Sequence, residues 1–156
     1  MSEYTARITW KRAGAVFSDR RYSRAHRWIF DGGIEVPASS SPHVVPPPMS
    51  LPEAIDPEEA FVAALASCHM LFFLAIAATR DFVVDEYRDE AVGEMGKTAE
   101  GRMAMTRVVL RPTVRFAGGR LPAAEEFQAM HRLANEQCYI ANSVRTEVVC
   151  EPIIER

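Results

Sequence analysis

The order of elements in this chain predicts an α+β fold: strand-like segments, one long apolar helix, further strands, a second helix and a closing strand. Three observations carry it. Alternation of apolar and polar residues marks Tyr4–Trp10 as a half-buried strand. An uncharged run, Phe61–Thr79, follows an acidic helix-start signal. A second helical periodicity runs through Phe127, Met130, Ala134, Cys138 and Ala141. With 156 residues, 48% hydrophobic and 25% charged, the chain has the composition of one globular domain with its own core, spanning residues 1–156.

The segment Tyr22–Phe30, if extended, places Arg24, His26, Trp28 and Phe30 on one face, and Asp31-Gly32-Gly33 turns the chain into a short strand, Ile34–Val36. Pro37–Pro52 contains six of the ten prolines, which excludes a regular helix or a central strand and predicts a long surface loop. Asp56 then supplies an N-cap, Pro57 the first helical position and Glu59 the third residue after the cap, so the first helix starts there. Carried to Thr79, it is ~35 Å long at ~1.5 Å per residue. Phe82–Val92 and Arg102–Phe116 read as strands, the second interrupted at Pro112. The second helix begins at Pro122 and extends to Ala141, and Val144–Val149 is the last strand.

The net charge of −3 gives no basic field for nucleic acid or an anionic membrane. The N-terminal residues lack the basic and apolar regions of a secretory signal, so a cytoplasmic location is expected. The run Phe61–Thr79 approaches the ~20 residues that span a bilayer. Its flanks, Glu58/Glu59 and Arg80/Asp81, are not a positive-inside pattern, and a helix apolar on all sides belongs at the centre of a soluble fold or between subunits.

Three cysteines, Cys68, Cys138 and Cys150, are too few for a disulfide framework, and each reads as a thiol in a reducing compartment. Cys68 lies on an expected apolar stripe with Phe61, Ala64, Leu65, Leu71 and Phe72, where it is either a core residue or a nucleophile. As a nucleophile it must ionise, and burial opposes that unless a cation compensates. No Lys or Arg occurs between Trp28 and Thr79, whereas Lys11–Arg27 holds six; the cation must come from that segment. His69 points about 100° away from Cys68 around the helix and reads as a packing residue. His131 and Cys138, seven apart on the second helix, lie ~10 Å apart along its axis, too far to share a metal ion. A zinc site using Cys68, Cys138 and a histidine is a third reading. Cys150, beside Glu151 and without an evident cation, reads as structural.

The stretch Asp56-Pro57-Glu58-Glu59-Ala60-Phe61-Val62-Ala63-Ala64-Leu65-Ala66-Ser67-Cys68-His69-Met70, followed downstream by Asn135-Glu136-Gln137-Cys138-Tyr139-Ile140-Ala141-Asn142-Ser143-Val144, resembles the osmotically inducible protein C (OsmC) and organic hydroperoxide resistance (Ohr) superfamily. The resemblance implies an intertwined homodimer of α+β subunits with antiparallel sheets and a long central helix. It also implies an active site at the subunit interface and thiol-dependent reduction of organic hydroperoxides. Carried over, Cys68 is the peroxidatic thiol, Cys138 the resolving thiol and Glu58 the carboxylate that pairs with a catalytic arginine. Arg24 is the first candidate for that arginine, then Arg21 and Arg12. No cofactor or metal is implied; the expected partners are a second copy of the chain, a small hydroperoxide and an external dithiol reductant. The rival expectation is a non-catalytic member that binds an apolar ligand or partner. Glu58 and Cys68 lie ~15 Å apart along one unbroken helix, so any joint action would be between subunits.

Overall fold

The computed structural model describes residues 1–155, with contacts that fall into two compact units, Met1–Ala60 and Phe61–Arg156. In the first unit, β1 (Ala6–Thr9), β2 (His26–Phe30) and β3 (Glu35–Ala38) form an antiparallel sheet in sequence order. The β2–β3 turn closes through the Gly33 N–H on the Phe30 carbonyl at 2.9 Å. Gly33 sits there at φ +82°, a conformation that costs a residue without a β-carbon little. The expected strand from Tyr22 is shorter: Tyr22–Ala25 is irregular, and only His26 onward pairs.

The first two residues of the proline-rich segment, Pro37 and Ala38, extend the edge strand β3; beyond them it is irregular, as its composition requires, but it is pinned to its unit. The Ser39 N–H donates to the Ile55 carbonyl (3.0 Å), the Leu51 N–H to Ser39 Oγ (3.0 Å) and the Arg24 N–H to the Met49 carbonyl (2.8 Å). Ser39, Ser41 and Ser50 are buried within it.

The first helix, α1, spans Pro57–Thr79. Its start is a reciprocal capping box: the Glu59 N–H donates to Asp56 Oδ1 at 2.8 Å, and the Asp56 N–H to Glu59 Oε2 at 3.2 Å. The boundary between the units falls within α1.

In the second unit, Phe82–Val92 is not one strand: it holds all of β4 (Val83–Asp89) and the first residue of β5 (Val92–Lys97), which belong to different sheets. The Arg102–Phe116 segment likewise divides at Arg111 into β6 (Met103–Leu110) and β7 (Pro112–Ala117). After α2 (Ala124–Gln137) come β8 (Glu147–Cys150) and a strand with no counterpart in the sequence reading, β9 (Ile153–Glu155). The sheets are ordered β4-β7-β9 and β5-β6-β8. The β5–β6 hairpin and the β4–β7 pair are antiparallel as expected, but β8 and β9 add in parallel to β6 and β7, making both sheets mixed.

Two apolar clusters fill this unit. Phe73, Ile76 and Ala77 of α1 pack with Phe82, Val114, Phe116, and Phe127, Met130 and Ala134 of α2. Leu65 packs with Val108 and Leu110, flanked by Val148 and Cys150. The buried face of α1 is therefore Leu65, His69, Phe73, Ile76 and Ala77, rotated from the expected stripe: Ala64 and Leu71 are exposed and Cys68 is half-buried. Ala63, Ser67, Leu71, Ala75 and Ala78 form an exposed face of small and apolar residues.

Candidate active site

Cys68 and Cys138, 70 residues apart in sequence, are brought together. Cys68 projects from the middle of α1, half-buried, and Cys138 is 1% exposed. The sequence reading put Cys138 inside the second helix, but α2 ends at Gln137 and Cys138 caps it with extended backbone, φ −64° and ψ 112°. The chain then enters a 3-10 turn at Ala141–Ser143. This turn aims the Ala141 N–H at Cys138 Sγ, 3.3 Å away.

Burial pushes the Cys138 thiol up to about 11, and the hydrogen bond to the neighbouring Cys68 sulfur adds to that; the Ala141 N–H acts in the opposite direction and is outweighed. Cys138 thus keeps its proton near neutral pH and presents it toward Cys68. No disulfide joins the cysteines.

In the first unit, Arg24 and Glu58 border a common hollow of about 500 Å³ with Ile8, Trp10, Phe17 and Tyr22. Its aromatic wall is built by Phe17 stacked on Tyr22 (4.5 Å between centroids) with Trp10 edge-on to both. Arg24 lies over the Tyr22 ring at 3.8 Å, and one terminal nitrogen, Nη1, donates to the Arg20 and Tyr22 carbonyls. Those two bonds hold the guanidinium while its other nitrogens have no protein partner among the described residues. The expected Arg24–Glu58 ion pair is not formed within the chain, although both side chains reach one hollow. Arg12 instead donates to the Ala15 carbonyl, and neither Arg12 nor Arg21 lines the hollow. Of the three candidates, Arg24 alone is both held and directed there.

The sequence reading grouped Arg24 with His26 and Trp28 on one face but did not foresee the hydrogen bonds that join them. Trp28 Nε1–H donates to His26 Nε2 at 2.9 Å, which leaves His26 Nδ1 to carry the proton donated to the Arg24 carbonyl at 2.7 Å. The i, i+2, i+4 spacing of the three residues was the signal for that grouping.

His69 is buried in the core, as expected of a packing residue, but it is not merely packed. Its Nε2 lies 2.9 Å from Nδ1 of His131, and Cys150 Sγ lies 3.6 and 3.7 Å from the same two nitrogens. The described His/Cys cluster with ligand-like spacing is thus His69, His131 and Cys150; Cys68 and Cys138 are outside it.

The family model for OsmC-like protein matches residues 50–152, and the chain belongs to the OsmC-like family. A solved OsmC-like protein of unknown function from Vibrio cholerae O1 biovar eltor is 56% identical, with a TM-score of 0.96 over 98% of this chain and 100% of that one. An organic hydroperoxide resistance protein from Elizabethkingia anophelis shares the fold at 15% identity and a TM-score of 0.68, covering 100% of this chain and 97% of that chain. An organic hydroperoxide resistance protein OsmC from Legionella pneumophila does so at 15% identity and 0.66, covering 100% and 98%. No curated protein matches the chain.

Proposed function

We propose that this protein is a thiol-dependent peroxidase for organic hydroperoxides. The observation that carries the reading is the meeting of a half-buried Cys68 with a buried, protonated Cys138. The Cys68 thiolate attacks the O–O bond; the departing alkoxide takes a proton and leaves as the alcohol, and the sulfur becomes sulfenic acid. Cys138 condenses with it, forming a disulfide as its proton and the sulfenic hydroxyl leave as water. An external dithiol then reduces the disulfide by exchange. The steps require no metal or cofactor. The aromatic wall beside Arg24 supports an apolar hydroperoxide over hydrogen peroxide.

The active unit in this proposal is a homodimer in the cytoplasm. The exposed face of α1, Ala63 to Ala78, would bury its apolar surface against a second copy, as in helix pairs with small contact residues. Arg24 and Glu58 would serve Cys68 of the partner subunit. Glu58 would orient the guanidinium without touching the thiolate, because a carboxylate against the sulfur would oppose ionisation.

Stopped-flow oxidation of the reduced protein by an aryl hydroperoxide and by hydrogen peroxide tests this. Cys68→Ser should abolish peroxide consumption, whereas Cys138→Ser should consume one equivalent and stop. Retained turnover in Cys68→Ser would refute the assignment of Cys68, whereas thiols inert to one equivalent of hydroperoxide would refute the peroxidase and leave a non-catalytic, ligand-binding protein. Mixed Glu58→Ala and Cys68→Ser subunits should recover activity in heterodimers if Glu58 acts in trans.

A further inference from the structure

Two histidines and a cysteine converge in the second unit from three elements: His69 from α1, His131 from α2 and Cys150 from the end of β8. Their nearest ligand atoms, His69 Nε2, His131 Nδ1 and Cys150 Sγ, lie within 4.8 Å of one another. The rings are stacked with centroids 5.3 Å apart and planes 8° from parallel, and Phe73 stacks on His131 at 4.1 Å. The rings are 1% and 2% exposed, while Cys150 is half-buried and offers the side from which an ion could enter.

The spacing is that of a coordination face. Tetrahedral zinc with Zn–N near 2.05 Å and Zn–S near 2.3 Å separates sulfur from nitrogen by about 3.6 Å and nitrogen from nitrogen by about 3.3 Å. The two observed sulfur–nitrogen distances are 3.6 and 3.7 Å, and the nitrogen–nitrogen distance of 2.9 Å needs to open by only a few tenths of an ångström. A hydrogen-bonded histidine pair alone accounts for the 2.9 Å contact. It does not account for a thiol held equally far from both nitrogens.

Charge points the same way. Tyr87 Oη and Asp89 Oδ2 are buried without a partner among the described residues. The other oxygen of Asp89 accepts the Arg111 N–H at 2.7 Å, and no ion pair reaches Asp89 among the described residues. A divalent cation beside one thiolate and one carboxylate would bring this pocket to neutrality.

We propose that His69, His131 and Cys150 form a transition-metal site that takes Zn²⁺, with a fourth position left for water or a small ligand. The site is separate from the Cys68–Cys138 pair, and the proposal stands or falls independently of the peroxidase. Binding displaces the Cys150 proton and leaves both histidines neutral, ligating through Nε2 of His69 and Nδ1 of His131. The metal would tie α1, α2 and β8 together.

Equilibrium dialysis of chelator-treated, reduced full-length protein against Zn²⁺ tests the site. The wild type and the Cys68→Ser/Cys138→Ser double variant should each bind one equivalent per chain. Cys150→Ser and His69→Gln should bind at least a hundredfold more weakly. Co²⁺ should give a thiolate-to-metal charge-transfer band in the wild type that is lost in Cys150→Ser, and Zn²⁺ should raise the melting temperature only where that ligand set is intact. Should His69→Gln fail to fold, Cys150→Ser and the cobalt spectrum still decide the matter. No binding by the wild type, or binding that survives Cys150→Ser but disappears in the Cys68→Ser/Cys138→Ser protein, overturns the proposal.

Discussion

Cys138 should be alkylated at least a hundredfold more slowly than an ordinary exposed thiol at pH 7.5. Its thiol is raised from 9.0 to about 11, and a shift of two units lowers the thiolate fraction by a factor of about 100 well below both values. Its 1% exposure slows access of the reagent further, making the factor a lower bound. Pulsed iodoacetamide labelling of the reduced native protein between pH 7 and 10, read by peptide mass spectrometry, would measure it. Cys68 should be modified first and Cys138 should gain reactivity only toward the top of the range; in urea the two should converge. Because the thiol is harder to ionise when folded, its contribution to stability is complete below pH 9. That contribution falls between about 9 and 11, by at most about 2–3 kcal/mol. Native Cys138 that reacts before Cys68, or titrates at or below 9, would refute the reasoning. In Cys68→Ala the shift should shrink but persist, since burial is its larger cause.

Three further substitutions probe how the site is carried. Asp56→Ala removes the side-chain half of the α1 capping box and should cost about 1 kcal/mol in urea unfolding, with Asp56→Asn costing less. Gly93→Ala would place a β-carbon 2.6 Å from both Met105 Sδ and Val62 Cγ2; methionine can yield and valine cannot, so a loss of about 1–3 kcal/mol is expected in the same assay. Phe73→Ala empties a fully buried position against Phe127 and His131 and should cost about 3–5 kcal/mol in urea unfolding at fixed protein concentration.

The start of α1 was legible to the residue because Asp56, Pro57 and Glu59 each have a distinct place in a helix N-terminus. Its buried face was not legible. A helix with alanine, leucine and phenylalanine on every side carries no polar face to orient it, and the packing of Phe73 and Ile76 against α2 and β7 decided the rotation. The end of α2 was overrun because Ala134, Cys138 and Ala141 keep an apolar spacing across the stop, with no glycine or proline to mark it. The division between β4 and β5 falls at Glu90-Ala91, again without a turn residue. Cys68 and Cys138 could be singled out by the residues around them. The convergence of His69, His131 and Cys150 could not, since ligands 62 and 19 residues apart leave no short spacing pattern, and parallel pairing of β8 with β6 is a property of the assembled sheet.

The one-residue difference between the end of α2 and the position of Cys138 has a mechanical consequence. Cys68 is held in the middle of a 23-residue helix, where moving one backbone unit disturbs the hydrogen bonds of its neighbours. Cys138 is joined to the next strand by a short irregular segment containing a single 3-10 turn, whose hydrogen bonds are local to residues 135–143, so that its distortion interrupts neither a long helix nor a sheet. Drawing the two sulfurs from contact to bonding distance would therefore load one stiff support and one compliant one, and nearly all the travel would be taken by residues 138–143. In hydrogen exchange, oxidation should leave the centre of α1 as slow as before and change the amides of that segment.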